Sequence, residues 1–329
     1  MSQRLFILIA TILLSGTGAF TQNALTTAQY REDFDALWTT VQEQYAYWPE
    51  KNTDWQCVRV RWQEAIKPLL PACLRKADTA AQLYALQLLA AGNHRDARRL
   101  EISDKGIMKE FTPDRFLNID TLHYDGLLSS AIVEGNIGMI TINNSLGDED
   151  LIPAFDSILN SMMNTSGLVL DLRQTQSGGT STVARAIMGR LLKKEGYYQR
   201  HELPADSGRW GVKRSWVEIV APRGKTYTKP VVVLVGAWTG SMGEGIAVGL
   251  HGLRRAQIAG HPMAGLNGAI YSFRLPNSGI GYSVSAERLS HINGTPREHF
   301  NNIKAVPESR PGVDGGLQGA LQLLRGKRS

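Results

Sequence analysis

The chain has 329 residues, enough for one large domain or two ordinary ones with a core that needs no covalent staples. A content of 43% hydrophobic and 20% charged residues is that of a soluble globular protein. The formal charge of +6 is scattered, with no Lys/Arg run longer than a pair, which excludes the clustered basic groove of a nucleic-acid binder.

The opening "MSQRLFILIATILLSGTGAF" has a basic residue at Arg4, an apolar core from Leu5 to Leu14, and Thr17 and Ala19 at the −3 and −1 positions of a cleavage site. That core is too short to span a bilayer, so residues 1–19 read as a secretory signal peptide and the mature chain as periplasmic or secreted. Its only cysteines, Cys57 and Cys73, flank a helical segment. A disulfide and a pair of free thiols both fit that spacing in an oxidising compartment, and the two cannot build a metal site alone.

Residues 20–95 read as a small helical N-terminal domain. Phe34, Leu37, Val41 and Tyr45 share one face, and Trp55, Val58, Trp62 and Ile66 another. Thr79 is placed to cap a third helix carrying Leu83, Leu86 and Leu89, ended by Gly92. Residues 96–130 show no periodicity and read as an irregular linker. From 131 to 329 the pattern is that of an α/β core: "IGMITI" as a strand, "DLIPAFDSILNSMM" as a helix with Ile152, Phe155, Leu159 and Met162 inward, then "GLVLDL" as a strand. A helix around Ala184, Ile187 and Leu191 follows, then the strand "PVVVLV", a helix after Ser241 and the strand "AQIAG". Short, wholly apolar strands alternating with helices predict a mostly parallel sheet covered on both faces. "AIYSFRL" and "IGYSVS", joined by "PNSG", predict a hairpin at the margin of that sheet, and Leu317, Leu321 and Leu324 mark the last helix.

Sites in open α/β sheets lie beyond the carboxyl ends of the strands. Three such ends run into "RQTQSGG", "GAWTGS" and "GHPMAG". Gly178 and Gly179 permit a tight turn with ligand-facing amides, and Ser241 precedes a helix N-terminus. An amide of that turn and the Met242 amide could hold an oxyanion beside a serine nucleophile. On spacing alone, a plain N-cap serine and turn glycines account for the motif better.

The motifs "REDFDALWTTVQEQYAYWPEKNTDW", "LQLLAAGNHRDARRLEI", "LVLDLRQTQSGG" and "TGSMGE", in this order, resemble S41 peptidases over nearly the whole mature chain. The resemblance implies a crotonase/ClpP-like core and a nucleophile at Ser241, three residues before Glu244, which would orient the site or favour the helix N-terminus. It implies an oxyanion hole from the turn bearing Gly178 and Gly179 together with Met242. Thr175 stands where asparagine is usual in that turn, which is one residue longer than the common form. The tail-specific branch places a lysine base at the slot held here by Leu266, so a Ser–Lys dyad is excluded, and there is no room for a PDZ module. The branch of tricorn and the nisin resistance protein uses a histidine at the end of the helical segment, which maps to His94, and tricorn uses a late glutamate that maps to Glu298. Tricorn's serine before that histidine is Asn93 here. The function implied is an exported serine peptidase acting on peptide or protein substrates with no cofactor or metal. The alternatives are a non-catalytic S41-fold binding protein and, disfavoured by the signal peptide, a crotonase-like acyl-CoA enzyme. Asp171 and Arg173 read as braces of the turn, and Trp55 and Trp62 as core. His123, His201, His251, His261, His291 and His299 read as surface or loop residues.

Overall fold

The computed structural model of the protein describes residues 25–50, 54–57, 59–60, 123–124, 126–266 and 268–326. Helix α1 (Thr27–Gln44) opens on a capping box: the Thr26 hydroxyl accepts from the Gln29 amide, and the Gln29 side chain accepts from the Thr26 amide.

Six strands form the main sheet: β1 (His123–Tyr124), β2 (Leu128–Val133), β3 (Ile137–Ile142), β4 (Gly167–Asp171), β7 (Val231–Val235) and β8 (Ala256–Gly260), adjacent in that order. β1 to β3 are antiparallel neighbours, whereas β3, β4, β7 and β8 run parallel. The apolar runs of β4 and β7 serve two cores at once. Leu168, Leu170, Val231, Val233 and Val235 point to a cluster with Phe155, Leu159, Ile187 and Ile246. The alternate residues Val169, Val232 and Leu234 point to Leu317, Ala320, Leu321 and Leu324 on the opposite face. The first cluster is closed by α2 (Leu151–Ser161), α3 (Ser181–Gly189) and α5 (Met242–Gly252), the second by α6 (Gly315–Arg325). In α2 the inward residues are Leu151, Phe155 and Leu159, followed by Met162, while Ile152 is only half-buried.

A second, four-stranded antiparallel sheet lies over α5. Its order is β6 (Ser215–Val220), β5 (Gly196–Glu202), β10 (Gly281–Ser290) and β9 (Ala269–Arg274), with α4 (Pro204–Trp210) between β5 and β6. Gly249 lets it approach, since a Cβ there would fall 2.8 Å from the Tyr198 ring. The expected β9–β10 hairpin is present but belongs to this sheet, not to the margin of the parallel one. β10 has ten residues and pairs on both sides, so it acts as a spine. β2 also starts inside the stretch expected to be irregular, its serines and alanine packing against β3.

Leu37, Val41 and Tyr45 of the predicted N-terminal face are buried on the hairpin against Leu275, Tyr282 and Val284. Polar clasps fix this docking: the Asp33 carboxylate accepts from the Asn277 and Ser278 amides, and the Ala46 amide donates to the Ser285 carbonyl at 2.9 Å. Trp55 is half-buried and stacks on Trp48 with centroids 4.1 Å apart. Cys57 is exposed, with a free thiol among the described residues. The signal peptide, Val58, Trp62, Ile66, Cys73, the Thr79-capped helix, Asn93 and His94 lie outside the described residues.

Candidate active site

The carboxyl ends of β4, β7 and β8 release three loops that meet around Ser241. Ser241 adopts φ 50°, ψ −111°, a region that non-glycine residues avoid, and is the N-cap of α5. Its carbonyl accepts from the Gly245 amide at 3.1 Å, which starts the helix and leaves the Met242 N–H among the first-turn donors without an intrahelical partner.

Gly178 faces the serine. It has φ +66°, and a Cβ on it would fall 2.3 Å from Ser241 Cβ, 2.7 Å from Oγ and 3.0 Å from the Met242 nitrogen. The missing side chain is therefore the space over the hydroxyl and that amide. Gly179 is required for a different reason: a Cβ there would collide with the Leu146 carbonyl at 2.0 Å. The two amides are also used differently. The Gly178 N–H donates to the Thr175 carbonyl at 3.0 Å, whereas the Gly179 N–H has no acceptor among the described residues.

Thr175 holds the two turns together. Its carbonyl also accepts from the Gly240 amide at 3.3 Å, and its buried hydroxyl donates to the Leu172 carbonyl at 2.9 Å. Thr239 donates to the same carbonyl at 2.9 Å. An asparagine at 175 would place a longer side chain where Gly243 already passes, since a Cβ on Gly243 would lie 2.1 Å from Thr175 Oγ1. The Asn144 side chain accepts from the Ser177 amide at 2.8 Å and donates to the Ser177 hydroxyl at 2.9 Å, pinning the outer part of the turn.

Glu244 is fully buried one turn into α5. Its carboxylate accepts from the Ser241 amide at 2.8 Å, from Gly265 at 2.8 Å and from Leu266 at 3.3 Å. Burial pushes the carboxyl up, opposed by the Arg297 charge and by the three amides. Glu244 thus joins the serine turn to the 261–268 loop. Leu266 packs on Gly240, where a Cβ would lie 3.3 Å from Leu266 Cδ1, so an alkyl chain fills the slot beside the serine turn.

Glu298 lies in the 3₁₀ turn Arg297–His299 behind that loop, half-buried, with Oε2 buried and unpartnered among the described residues. Its neighbour Arg297 is buried and donates to the Leu266 carbonyl at 3.2 Å. Ser241, Gly178, Gly179, Met242 and Glu244 are thus brought together, and Glu298 sits on the neighbouring element. Asp171 and Arg173 brace the turn, as expected from the sequence. Asp314 escaped the sequence reading; its one local signal is an acidic residue before two glycines and an apolar-periodic run, an N-cap pattern.

One histidine departs from the assignment to surface or loop: His201 is buried within β5, whereas His291, also buried, lies in the loop after β10. His201 Nδ1 lies 2.8 Å from Glu287 Oε2, its ring stacks on Trp216, and Glu218 and Glu287 raise its pKa against the opposing effect of burial. A charged partnership of this kind lets an imidazole stay inside a sheet. Among the described residues no three His, Cys, Asp or Glu side chains gather in a group that could hold a metal.

The model of peptidase family S41 matches residues 136–305, and that of the tricorn protease C1 domain matches residues 26–78. Among solved structures, a candidate peptidase from Parabacteroides merdae superposes with a TM-score of 0.63 at 19% identity, covering 91% of this chain and 98% of that one. A lipoprotein from Streptococcus agalactiae gives a TM-score of 0.57 at 15% identity over 92% and 98% of the two chains. At those identities the likeness concerns the fold. No curated protein matches the chain in sequence. The S41 match spans more than half of the residues and contains every element of the serine, glycine-turn and glutamate arrangement described above; the chain belongs to peptidase family S41.

Proposed function

We propose that the protein is an exported serine peptidase. Ser241 Oγ attacks the scissile carbonyl, His94 takes the hydroxyl proton and returns it to the leaving amine, and water then releases the acyl group by the same route. The amides of Gly179 and Met242 hold the oxyanion, the Gly178 N–H being committed to Thr175. Glu298 supports the base from behind the 261–268 loop. The observation that carries the reading is Gly178: only a residue without a side chain leaves the space over Ser241 Oγ and the Met242 amide open. Neither a plain N-cap nor a plain turn requires that vacancy.

A fluorophosphonate probe tests the reading without a known substrate. Labelling of the mature protein should map to Ser241 and vanish in Ser241→Ala; labelling elsewhere, or none, would favour a binding protein that keeps the fold. Intact mass of the labelled species should show a chain starting near Phe20 and recovered outside the cytoplasm. A soluble cytosolic chain that retains Met1 would remove the export reading.

A further inference from the structure

Arg173 is clamped between two buried carboxylates. Its Nε and Nη2 donate to Asp171 at 3.0 and 2.9 Å, and its Nη1 and Nη2 donate to Asp314 at 2.9 and 2.7 Å. Asp171 is fully buried and Asp314 is 2% exposed. The Asp171 carboxylate also accepts from the Arg173 amide at 3.0 Å, so the pair shapes the first bend after β4. Next to that bend, the Leu172 carbonyl receives the hydroxyls of Thr175 and Thr239, and the Thr175 carbonyl receives the Gly178 and Gly240 amides.

Asp314 already has an ordinary task as the N-cap of α6, accepting from the Leu317 amide at 3.0 Å. A cap needs one oxygen and no cation. Here both oxygens take the guanidinium in a fork, and Gly316 makes room for it, since a Cβ there would lie 3.0 Å from Arg173 Nη1. Two buried carboxylates sharing one cation is a costly arrangement, and replacing such groups by apolar ones is often neutral or stabilising. Stability alone therefore accounts poorly for it.

We infer that Asp314 is a positioning residue for the oxyanion turn: through Arg173 it fixes the Asp171–Leu172 bend, and through Thr175 the placement of the Gly178–Gly179 peptide over Ser241. The inference rests on Ser241 being the nucleophile and links the last helix of the chain to transition-state stabilisation.

Asp314→Asn keeps a competent cap but loses the charge-assisted fork. Leu321→Ala loosens the same helix from the sheet without touching Arg173. With active sites titrated by fluorophosphonate, Asp314→Asn should lower kcat per site by about tenfold, a modest share of the loss on deleting an oxyanion donor, with KM unchanged. Amide exchange across residues 172–180 should rise in parallel. Leu321→Ala should lower Tm and leave both readouts alone. An Asp314→Asn protein with wild-type kcat per site, or wild-type exchange in the turn, overturns the inference. If the wild type neither labels nor cleaves, the nucleophile assignment has failed, and turn exchange alone then decides whether Asp314 holds the bend.

Discussion

At Gly178 a single hydrogen atom separates an open site from a blocked one. Alanine there would have to hold φ near +66°, costing about 1–2 kcal/mol, and would press on Ser241 and the Met242 nitrogen. Gly178→Ala should therefore cut kcat by about 100-fold or more, the scale of losing an oxyanion donor. It should also suppress fluorophosphonate labelling while circular dichroism stays native. Normal labelling of that variant would show that the space over the hydroxyl is not used. The serine before a helix and the double glycine after a strand are legible as local signals. On spacing alone they read as an N-cap and a turn, and only the family resemblance points to a site there. The division of labour between Gly178 and Gly179 was not legible, since it depends on the Thr175 and Leu146 carbonyls, one of them supplied by a distant loop. Asp314 was hidden for the same reason: its partner Arg173 is 141 residues away.

Among the elements, β4, β7 and β8 announced themselves because a parallel strand buried on both faces must be apolar throughout. β5 and β6 did not. β5, "GYYQRHE", turns Tyr198, Gln199 and His201 inward and breaks its alternation at a bulge between Tyr197 and Gln199, so neither periodicity nor apolar content marks it. β6 buries only Val220 and leaves Val217 and Ile219 exposed, the reverse of the usual pattern. The hairpin was legible as a unit from its turn, but its sheet was not, because its neighbour β5 gave no signal. α5 carries Gly243, Gly245 and Gly249, poor helix formers that the packing requires where Thr175, Gln199 and Tyr198 come close.

For the molecule as a whole, the second sheet carries a pH signature. The pKa of His201 is raised by Glu218 and Glu287, so its stabilisation is complete below the ordinary imidazole range and is lost as pH rises through the raised value. The pKa values of Glu218 and Glu287 are lowered, as is that of Asp156 beside Arg223 and Arg190, in each case against the effect of burial. Their contributions are present above the ordinary carboxylate range and fade as pH falls through the depressed values. Tm should peak between the two limbs, in mildly acidic to neutral solution, and His201→Gln should flatten the alkaline limb. An alkaline limb unchanged in that variant would assign it to another group.

The Glu244 clamp on the 261–268 loop has a consequence for engineering the site. It fixes the backbone of Leu266 whatever side chain that residue bears, and Leu266 lies against Gly240 beside Ser241. Leu266 thus stands, with its backbone held, at the slot where the resemblance to the tail-specific branch places a lysine base. In a His94→Ala background, Leu266→Lys should restore part of the lost peptidase activity, with a pH dependence set by an amine whose pKa the apolar slot depresses. A double variant as inactive as His94→Ala alone would mean that the Leu266 slot does not bring an amine within reach of Ser241.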